Sequence, residues 1–211
     1  MIRPNYLKEG ATVAIVSTAR RISKKELIPA ITILKKRGLK VVLGTSIGAE
    51  DHQFAGNDEL RTSDFQTMLD HPEIDAIWCA RGGYGTVRII DQLDFSNFKN
   101  HPKWIIGYSD ITVLHAHLHQ LGIETLHAQM PLFIETKSDA TINSIKETLF
   151  GEKYEIIIPS EKNNINGIAS GQLIGGNLSI LYSLCGSPSA LNTKGKILFI
   201  EDLDEYLYHI D

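Results

Sequence analysis

Ser109 stands where a sequence can expose a nucleophile. In Lys103-Trp104-Ile105-Ile106-Gly107-Tyr108-Ser109-Asp110-Ile111-Thr112 a buried strand pattern ends at glycine, the serine follows almost at once, and a helical pattern takes over. That order places the hydroxyl on a sharp strand-to-helix turn at the carboxyl edge of a sheet. The G-x-S-x-G elbow works in this way, exposing Oγ and turning the next N–H, at a helix N-terminus, toward a developing oxyanion. Here Ile111 occupies the fifth position, so the layout is shared and the motif is not. A second reading needs no chemistry: Ser109 or Asp110 caps the helix.

Three other clusters could do chemistry. Arg81-Gly82-Gly83-Tyr84-Gly85 follows a strand ending at Cys79, and its glycines let backbone approach a ligand, as a phosphate cradle or as half of an oxyanion hole. Neither G-x-G-x-x-G nor G-K-[ST] occurs, which weakens a dinucleotide or Walker reading. A tight βα turn accounts for the glycines without any ligand. Glu201 ends the apolar run Ile197-Leu198-Phe199-Ile200. A carboxylate there can orient an imidazole and offset the charge it acquires, or belong to a solvated acidic turn with Asp202, Asp204 and Glu205. His115, His117 and His119 alternate along a helical segment. At about 100° per residue, His117 points roughly 160° away from His115, so one ion cannot gather all three. Ala116 excludes H-E-x-x-H. No metal site is expected, and these histidines read as partly exposed helix residues.

The elements that must position these groups follow from periodicity. Short β-branched runs alternate with helical patterns over the first two thirds of the chain, the signature of βαβ units and a parallel sheet. Strands are predicted at residues 12–17, 39–43, 76–79, 104–107 and 123–127. Between the first two, Ser23-x-x-Glu26 is a capping box and Gly38 a good C′ residue. Pro29 would remove an interior hydrogen bond, so that helix is expected to start later than its box suggests. Further helices are predicted over 58–69, after the glycines at 82, 83 and 85, and over 110–121, where Ile111, Leu114, Leu118 and Leu121 form one apolar stripe. Residues 160–166 read as an exposed linker, with strands expected at 154–158, 167–173 and 196–200. The fold class is α/β: a flavodoxin-like or Rossmann-like parallel sheet domain over 1–132, a connecting segment over 133–166, and the incomplete start of a smaller second domain over 167–211.

Composition bounds the partners. With 43% hydrophobic residues the chain can bury a core. Lys and Arg number 21 against 25 Asp and Glu, with no basic block, so the electrostatic footprint of a nucleic-acid partner is missing. The stretch 168–193 lacks Asp, Glu, Lys and Arg but contains Gln172, Asn177 and several serines and glycines, so no membrane span is expected. Met1-Ile2-Arg3-Pro4 opens no apolar signal region, and a cytoplasmic location is expected. Cys79 and Cys185 lack CxxC spacing and read as buried thiols.

Four segments, Arg81-Gly82-Gly83-Tyr84-Gly85, Gly107-Tyr108-Ser109-Asp110-Ile111-Thr112, Gly175-Gly176-Asn177-Leu178-Ser179 and Ile200-Glu201-Asp202, occur in the order and spacing of a known family. Through them the chain resembles the serine LD-carboxypeptidases, which include muramoyltetrapeptide carboxypeptidase and the microcin-immunity peptidases. The resemblance runs through the whole chain. It implies that Ser109 is the nucleophile and Glu201 the acidic member of a Ser-Glu-His triad. It further implies an oxyanion hole made by the N–H groups of Asp110 and Gly83, substrate contacts at Arg81, Gly82 and Asn177, and no metal or organic cofactor.

In the family the histidine lies well downstream of the glutamate, in a part of the second domain that these 211 residues do not contain. We expect truncation rather than degeneracy. A serine without its base is a poor nucleophile at neutral pH, so the 211-residue chain alone is expected to be inactive. His127, at the end of the strand after the nucleophile helix, is expected to line the same crevice, and His209 could approach Glu201 only if the chain folds back. Neither is assigned as the base. His127-Ala128-Gln129-Met130-Pro131 also departs from the His-Gly-Pro of many relatives. The implied activity is removal of the terminal D-alanine from murein tetrapeptides across an L,D bond, in cell-wall recycling. The alternatives are a microcin-immunity-type peptidase acting on a peptidyl-nucleotide, or a nonenzymatic ligand-binding module. Uncovered strands in an unfinished domain predict association, such as a homodimer, or local disorder after about residue 160.

Overall fold

Alternate residues of a strand face opposite ways. In the computed structural model, which describes residues 1–153 and 155–210, that alternation sorts the core into two halves. On β1 (Thr12–Val16), Val13 and Ile15 face one side of the main sheet while Ala14 and Val16 face the other. Trp78 and Ile77 of β3 (Ala76–Cys79) and Ile106 and Ile105 of β4 (Trp104–Gly107) divide in the same way. With β2 (Lys40–Leu43) and β5 (Leu126–His127) at the edges, the order is β2-β1-β3-β4-β5, all parallel. This is the flavodoxin-like order, which decides between the two sheet types expected.

Helices cover both faces, as a sheet of strands apolar on both sides requires. On one side lie α1 (Ile28–Lys36) and α5 (Asp139–Phe150), through Ala30, Leu34, Ile145 and Leu149. On the other lie α2 (Asp58–Asp70), α3 (Ser96–Asn100) and α4 (Thr112–Gln120), through Phe65, Leu69, Phe98, Leu114 and Leu118. The capping box forms, with the Ser23 N–H donating to Glu26 at 2.8 Å, but a single 3₁₀ turn intervenes before α1, which has proline at its start. The delayed helix start expected from Pro29 is observed.

Other expectations need correction. The helix after the glycine turn is two 3₁₀ turns, Thr86–Arg88 and Ile90–Gln92, because these residues serve the glycine turn rather than a continuous helix face. The strand expected at 167–173 is displaced: β6 spans Leu173–Asn177 and pairs in parallel with β7 (Ile197–Glu201). Residues 155–158 form no strand, and residue 154 lies outside the described residues. Their isoleucines stay exposed, with no neighbouring strand to pair them.

The small β6–β7 sheet sits against α4. Thr112 Oγ1 accepts the Asn177 N–H at 3.0 Å, and a Cβ at Gly176, whose φ is +143°, would lie 2.5 Å from that oxygen. Only glycine allows this approach. Along the same helix, His117 Nδ1 meets Ser189 Oγ at 3.0 Å, Lys196 Nζ donates to His119 Nε2 at 2.6 Å, and Gln120 donates to the Ala190 carbonyl. His117 and His119 therefore dock the segment between β6 and β7 onto α4. His115 was expected to be partly exposed and is buried, because it faces the main sheet. Cys79 is buried, as expected, and burial pushes its thiol pKa up; Cys185, following α6 (Leu178–Ser183), is exposed.

Candidate active site

The loops leaving β1, β3 and β4 converge at the carboxyl edge of the sheet, where the strand order reverses and doubly wound folds open a crevice. Ser109 begins a 3₁₀ turn, Ser109–Ile111, that runs into α4. Its φ of +61° is left-handed, a conformation that costs a non-glycine residue about 1–2 kcal/mol. The side chain is half-buried rather than sealed in the core. Gly107 makes the turn possible, since a Cβ there would come within 2.7 Å of Ile111 Cγ1.

His115 fixes the strand end that feeds this turn. Its Nε2 lies 2.9 Å from the Gly107 carbonyl and its Nδ1 2.8 Å from Thr125 Oγ1. A carbonyl can only accept, so the proton sits on Nε2 and the threonine hydroxyl donates to Nδ1. Burial lowers the pKa of this ring to about 4, against the favourable bond to Gly107 and with a further lowering by His127, so the imidazole is neutral.

The glycine turn packs directly on the serine turn. An ideal Cβ on Gly82 would sit 3.4 Å from the Asp110 amide nitrogen and 3.5 Å from Met130 Cε. Gly83, at φ +99°, lies under the Arg20 side chain. Among the described residues, the N–H groups of Asp110 and Gly83 donate to no other protein group. Two amide hydrogens of these adjoining turns are thus left without an acceptor among the described residues.

The Asp110 side chain holds the two turns together. Its Oδ2 accepts from the Thr86 N–H at 2.9 Å and from Thr86 Oγ1 at 2.6 Å, and Thr86 Oγ1 meets Thr18 Oγ1 of the β1 loop at 2.7 Å. Burial raises the Asp110 pKa, and the Thr86 bonds pull it back only in part. Arg61 of α2 is buried and donates to the Thr18 and Gly85 carbonyls at 2.6 and 3.0 Å, pairing also with Asp58. Sequence reasoning missed Thr18, Thr86, Arg61 and the role of His115. One signal was present for Arg61: it shares the helical spacing of Asp64, Phe65 and Met68, so it lies on the buried stripe of α2.

Glu201 reaches the site through the small sheet. It pairs in register with Asn177, which hangs on Thr112, one turn of chain beyond Ser109. Burial and the neighbouring Asp202 charge raise the Glu201 pKa, while the Asn177 side chain and the Ser109 N–H act in the opposite direction. Its Oε1 is buried without a hydrogen-bond partner among the described residues. Asn177 Oδ1 caps α6 by accepting the Ile180 N–H at 3.1 Å, and its Nδ2 donates to Asp202 at 3.0 Å. Arg81 donates from Nη1 to the Arg21 carbonyl at 3.0 Å. The His127 ring lies 6.2 Å from that of Tyr108 and 5.2 Å from that of Phe199, and burial lowers its pKa. The side chain of His209 is not among the described atoms. Within the described residues no group of three His, Cys, Asp or Glu side chains is arranged to hold a metal.

The same architecture recurs among known proteins. Residues 13–128 match the model of the LD-carboxypeptidase N-terminal domain, and residues 170–211 match that of the LD-carboxypeptidase C-terminal domain. A probable murein peptide carboxypeptidase of Bacillus subtilis is 39% identical over 217 residues, covering 99% of this chain and 67% of that protein. The microcin C7 self-immunity protein of Escherichia coli is 30% identical over 234 residues, covering 93% of this chain and 67% of its own. The crystal structure of muramoyltetrapeptide carboxypeptidase from Oxalobacter formigenes superposes with a TM-score of 0.81 at 29% identity, covering 95% of this chain and 68% of the other. The chain spans about two thirds of the length of each of these relatives.

Proposed function

The chain belongs to the LD-carboxypeptidase family, a family of hydrolases, and from that premise we propose that Ser109 is the nucleophile of a serine carboxypeptidase that releases the terminal D-alanine of murein tetrapeptides. The observation that supports this reading best is the packing of the Gly82 turn against the Ser109-Asp110 turn, with the Asp110 and Gly83 amides bonded to no acceptor among the described residues and Ser109 half-buried. Ser109 Oγ attacks the carbonyl carbon of the L,D bond. The carbonyl oxygen gains negative charge and is met by those two N–H groups. An imidazole takes the hydroxyl proton and returns it to the leaving amine, and Glu201 orients that imidazole and offsets its charge. The buried, unpartnered Oε1 of Glu201 suits this role.

No histidine among the described residues bonds to Glu201, and the family resemblance assigns the base to a position downstream of it. Substrate contacts are proposed at Arg81 and Gly82. Asn177, whose polar atoms bond to Ile180 and Asp202, is proposed to shape the substrate wall through its backbone and to steady Glu201. No helix of the described residues is long and apolar enough to cross a membrane, and a cytoplasmic place in cell-wall recycling is part of the proposal.

The test is D-alanine release from a murein tetrapeptide by the full-length gene product, with Ser109→Ala alongside. Release should fall by at least about a thousandfold, as when a triad member is removed. An unchanged rate refutes the assignment. The similarity to the microcin C7 self-immunity protein supports a second reading, hydrolysis of a peptidyl-nucleotide. Assaying both substrates side by side separates the two.

A further inference from the structure

Tyr84 occupies a position whose backbone suits glycine. Through Gly83-Tyr84-Gly85 the chain passes three successive residues at positive φ, +99°, +86° and +151°. Glycine adopts such angles freely, whereas a Cβ there crowds the neighbouring carbonyl oxygen. Among the described residues five non-glycine residues have positive φ, and two of them, Ser109 and Tyr84, lie in the two turns that pack together at the candidate active site. Strain of this kind persists only where the surrounding structure holds it in place.

What holds Tyr84 is its ring. It lies 6.2 Å from the ring of Phe54, tilted by 50°, and its phenol interacts with the Arg88 guanidinium. Phe54 is itself fixed. Arg61 and Arg88 place their guanidinium carbons 4.8 and 5.0 Å from its ring centroid, and Asp58 pairs with both arginines, meeting Arg88 Nη2 at 2.8 Å. Backbone bonds tie the Phe54 segment to the β1 loop, the Ala55 N–H donating to the Ala19 carbonyl and the Arg21 N–H to the Gln53 carbonyl, each at 3.0 Å.

The rest of the turn is anchored on either side of this residue. Gly82 packs on Asp110, the Gly85 carbonyl accepts from Arg61 at 3.0 Å, and the Thr86 N–H donates to the Asp110 carboxylate at 2.9 Å. Gly83 and Tyr84 span the gap between these anchors. We propose that Tyr84 is a positioning residue: its ring, clamped against Phe54, fixes the left-handed backbone of the turn and so holds the Gly83 N–H toward the oxyanion. The inference rests on the reading of Ser109 as nucleophile and of the Gly83 amide as oxyanion donor, and adds a residue that acts through that amide. Four glycines in a row could take the same shape without strain, but they would also leave it by rotation. A clamped side chain confines the turn to one conformation, and the strain at Tyr84 is the consequence.

The experiment compares Tyr84→Gly, Tyr84→Phe and Phe54→Leu with the parent in the full-length gene product. It reads kcat and KM for D-alanine release from a murein tetrapeptide, the rate at which a fluorophosphonate labels Ser109, and the urea midpoint. Tyr84→Gly relieves the strain, so its urea midpoint should stay near that of the parent. Its kcat should nevertheless fall by about 10- to 100-fold at unchanged KM, as for an oxyanion donor that is misaligned rather than removed. Tyr84→Phe keeps the ring and should keep most of the parent kcat. Phe54→Leu should reproduce the loss, and combining it with Tyr84→Gly should add little further, since the two rings act as one unit. Tyr84→Gly decides the question by itself if Phe54→Leu does not fold. A parent-like kcat in Tyr84→Gly overturns the proposal, as does an equal loss in Tyr84→Phe. So do a rise in KM at constant kcat, which would make Tyr84 a substrate contact, and losses from Tyr84→Gly and Phe54→Leu that simply multiply. Failure of the parent to label at Ser109 counts against the proposed hydrolase, whereas a labelled Ser109 indifferent to Tyr84→Gly counts against the clamp alone.

Discussion

Lowering the pH should destabilise the fold through His115 in a way that its glutamine variant escapes. The ring is buried, bonded at Nε2 to the Gly107 carbonyl and at Nδ1 to the Thr125 hydroxyl. On protonation the Gly107 bond survives and the threonine hydroxyl can turn round to accept, so what opposes the charge is burial itself. The folded-state pKa is about 4, against an ordinary value of 6.5. Between those two values the unfolded chain binds a proton that the folded chain refuses, so stability falls as the pH drops through this window and levels off below about pH 4. At 1.36 kcal/mol per pKa unit, the loss attributable to this one ring is about 3 kcal/mol. The measurement is urea denaturation of the parent and His115→Gln at intervals from pH 7.5 to pH 4. Because His117, His119 and His127 also have lowered pKa values and contribute to the slope in both proteins, the difference between the curves isolates His115. Parallel pH profiles, or an NMR titration placing the His115 midpoint near 6.5, would refute the reasoning.

Further perturbations separate the roles of the site. In the full-length protein, Gly82→Ala, whose methyl would lie 3.4 Å from the Asp110 amide nitrogen, should slow fluorophosphonate labelling of Ser109 by about a hundredfold, the effect of an obstructed oxyanion donor, while urea stability changes by less than about 1 kcal/mol. Labelling at the parent rate would show that the space beside that amide is not used. Thr86→Val keeps the shape but removes the 2.6 Å bond to Asp110 and the contact with Thr18, and should cost about 2–3 kcal/mol in chemical denaturation. Arg61→Lys cannot reproduce a fork that serves the Thr18 and Gly85 carbonyls together, and a loss of about 2 kcal/mol or more is expected in the same assay.

Much of the main sheet was readable from local pattern alone. A run such as Trp104-Ile105-Ile106-Gly107 is apolar on both faces and short, which suits only a central parallel strand, and β3 and β4 fall where that pattern puts them. The box at Ser23 and Glu26 and the obstacle at Pro29 act on adjacent residues, so their outcome was also legible. The strand β6 was misplaced because its register depends on Gly175 and Gly176 meeting Phe199 and Thr112, partners far away in the chain. Likewise the exposed runs at 155–158 have strand-like composition, and composition cannot say whether a neighbour exists to pair with them.

Residue types and spacing marked Ser109, the glycine turn and Glu201 as candidates, each with a purely structural reading beside it, and the resemblance of four segments to a known family supplied their expected roles. How these groups meet was not local. Thr86 bridging Asp110 to Thr18, Arg61 buried beneath two carbonyls, His115 neutral against Gly107, and Arg20 laid over Gly83 are contacts between segments far apart in sequence, where hydrogen-bond geometry and desolvation are set by packing. A polar side chain reads the same in a sequence whether it faces water or a buried carbonyl; only the folded chain distinguishes them, because the free energy of that choice depends on what surrounds it.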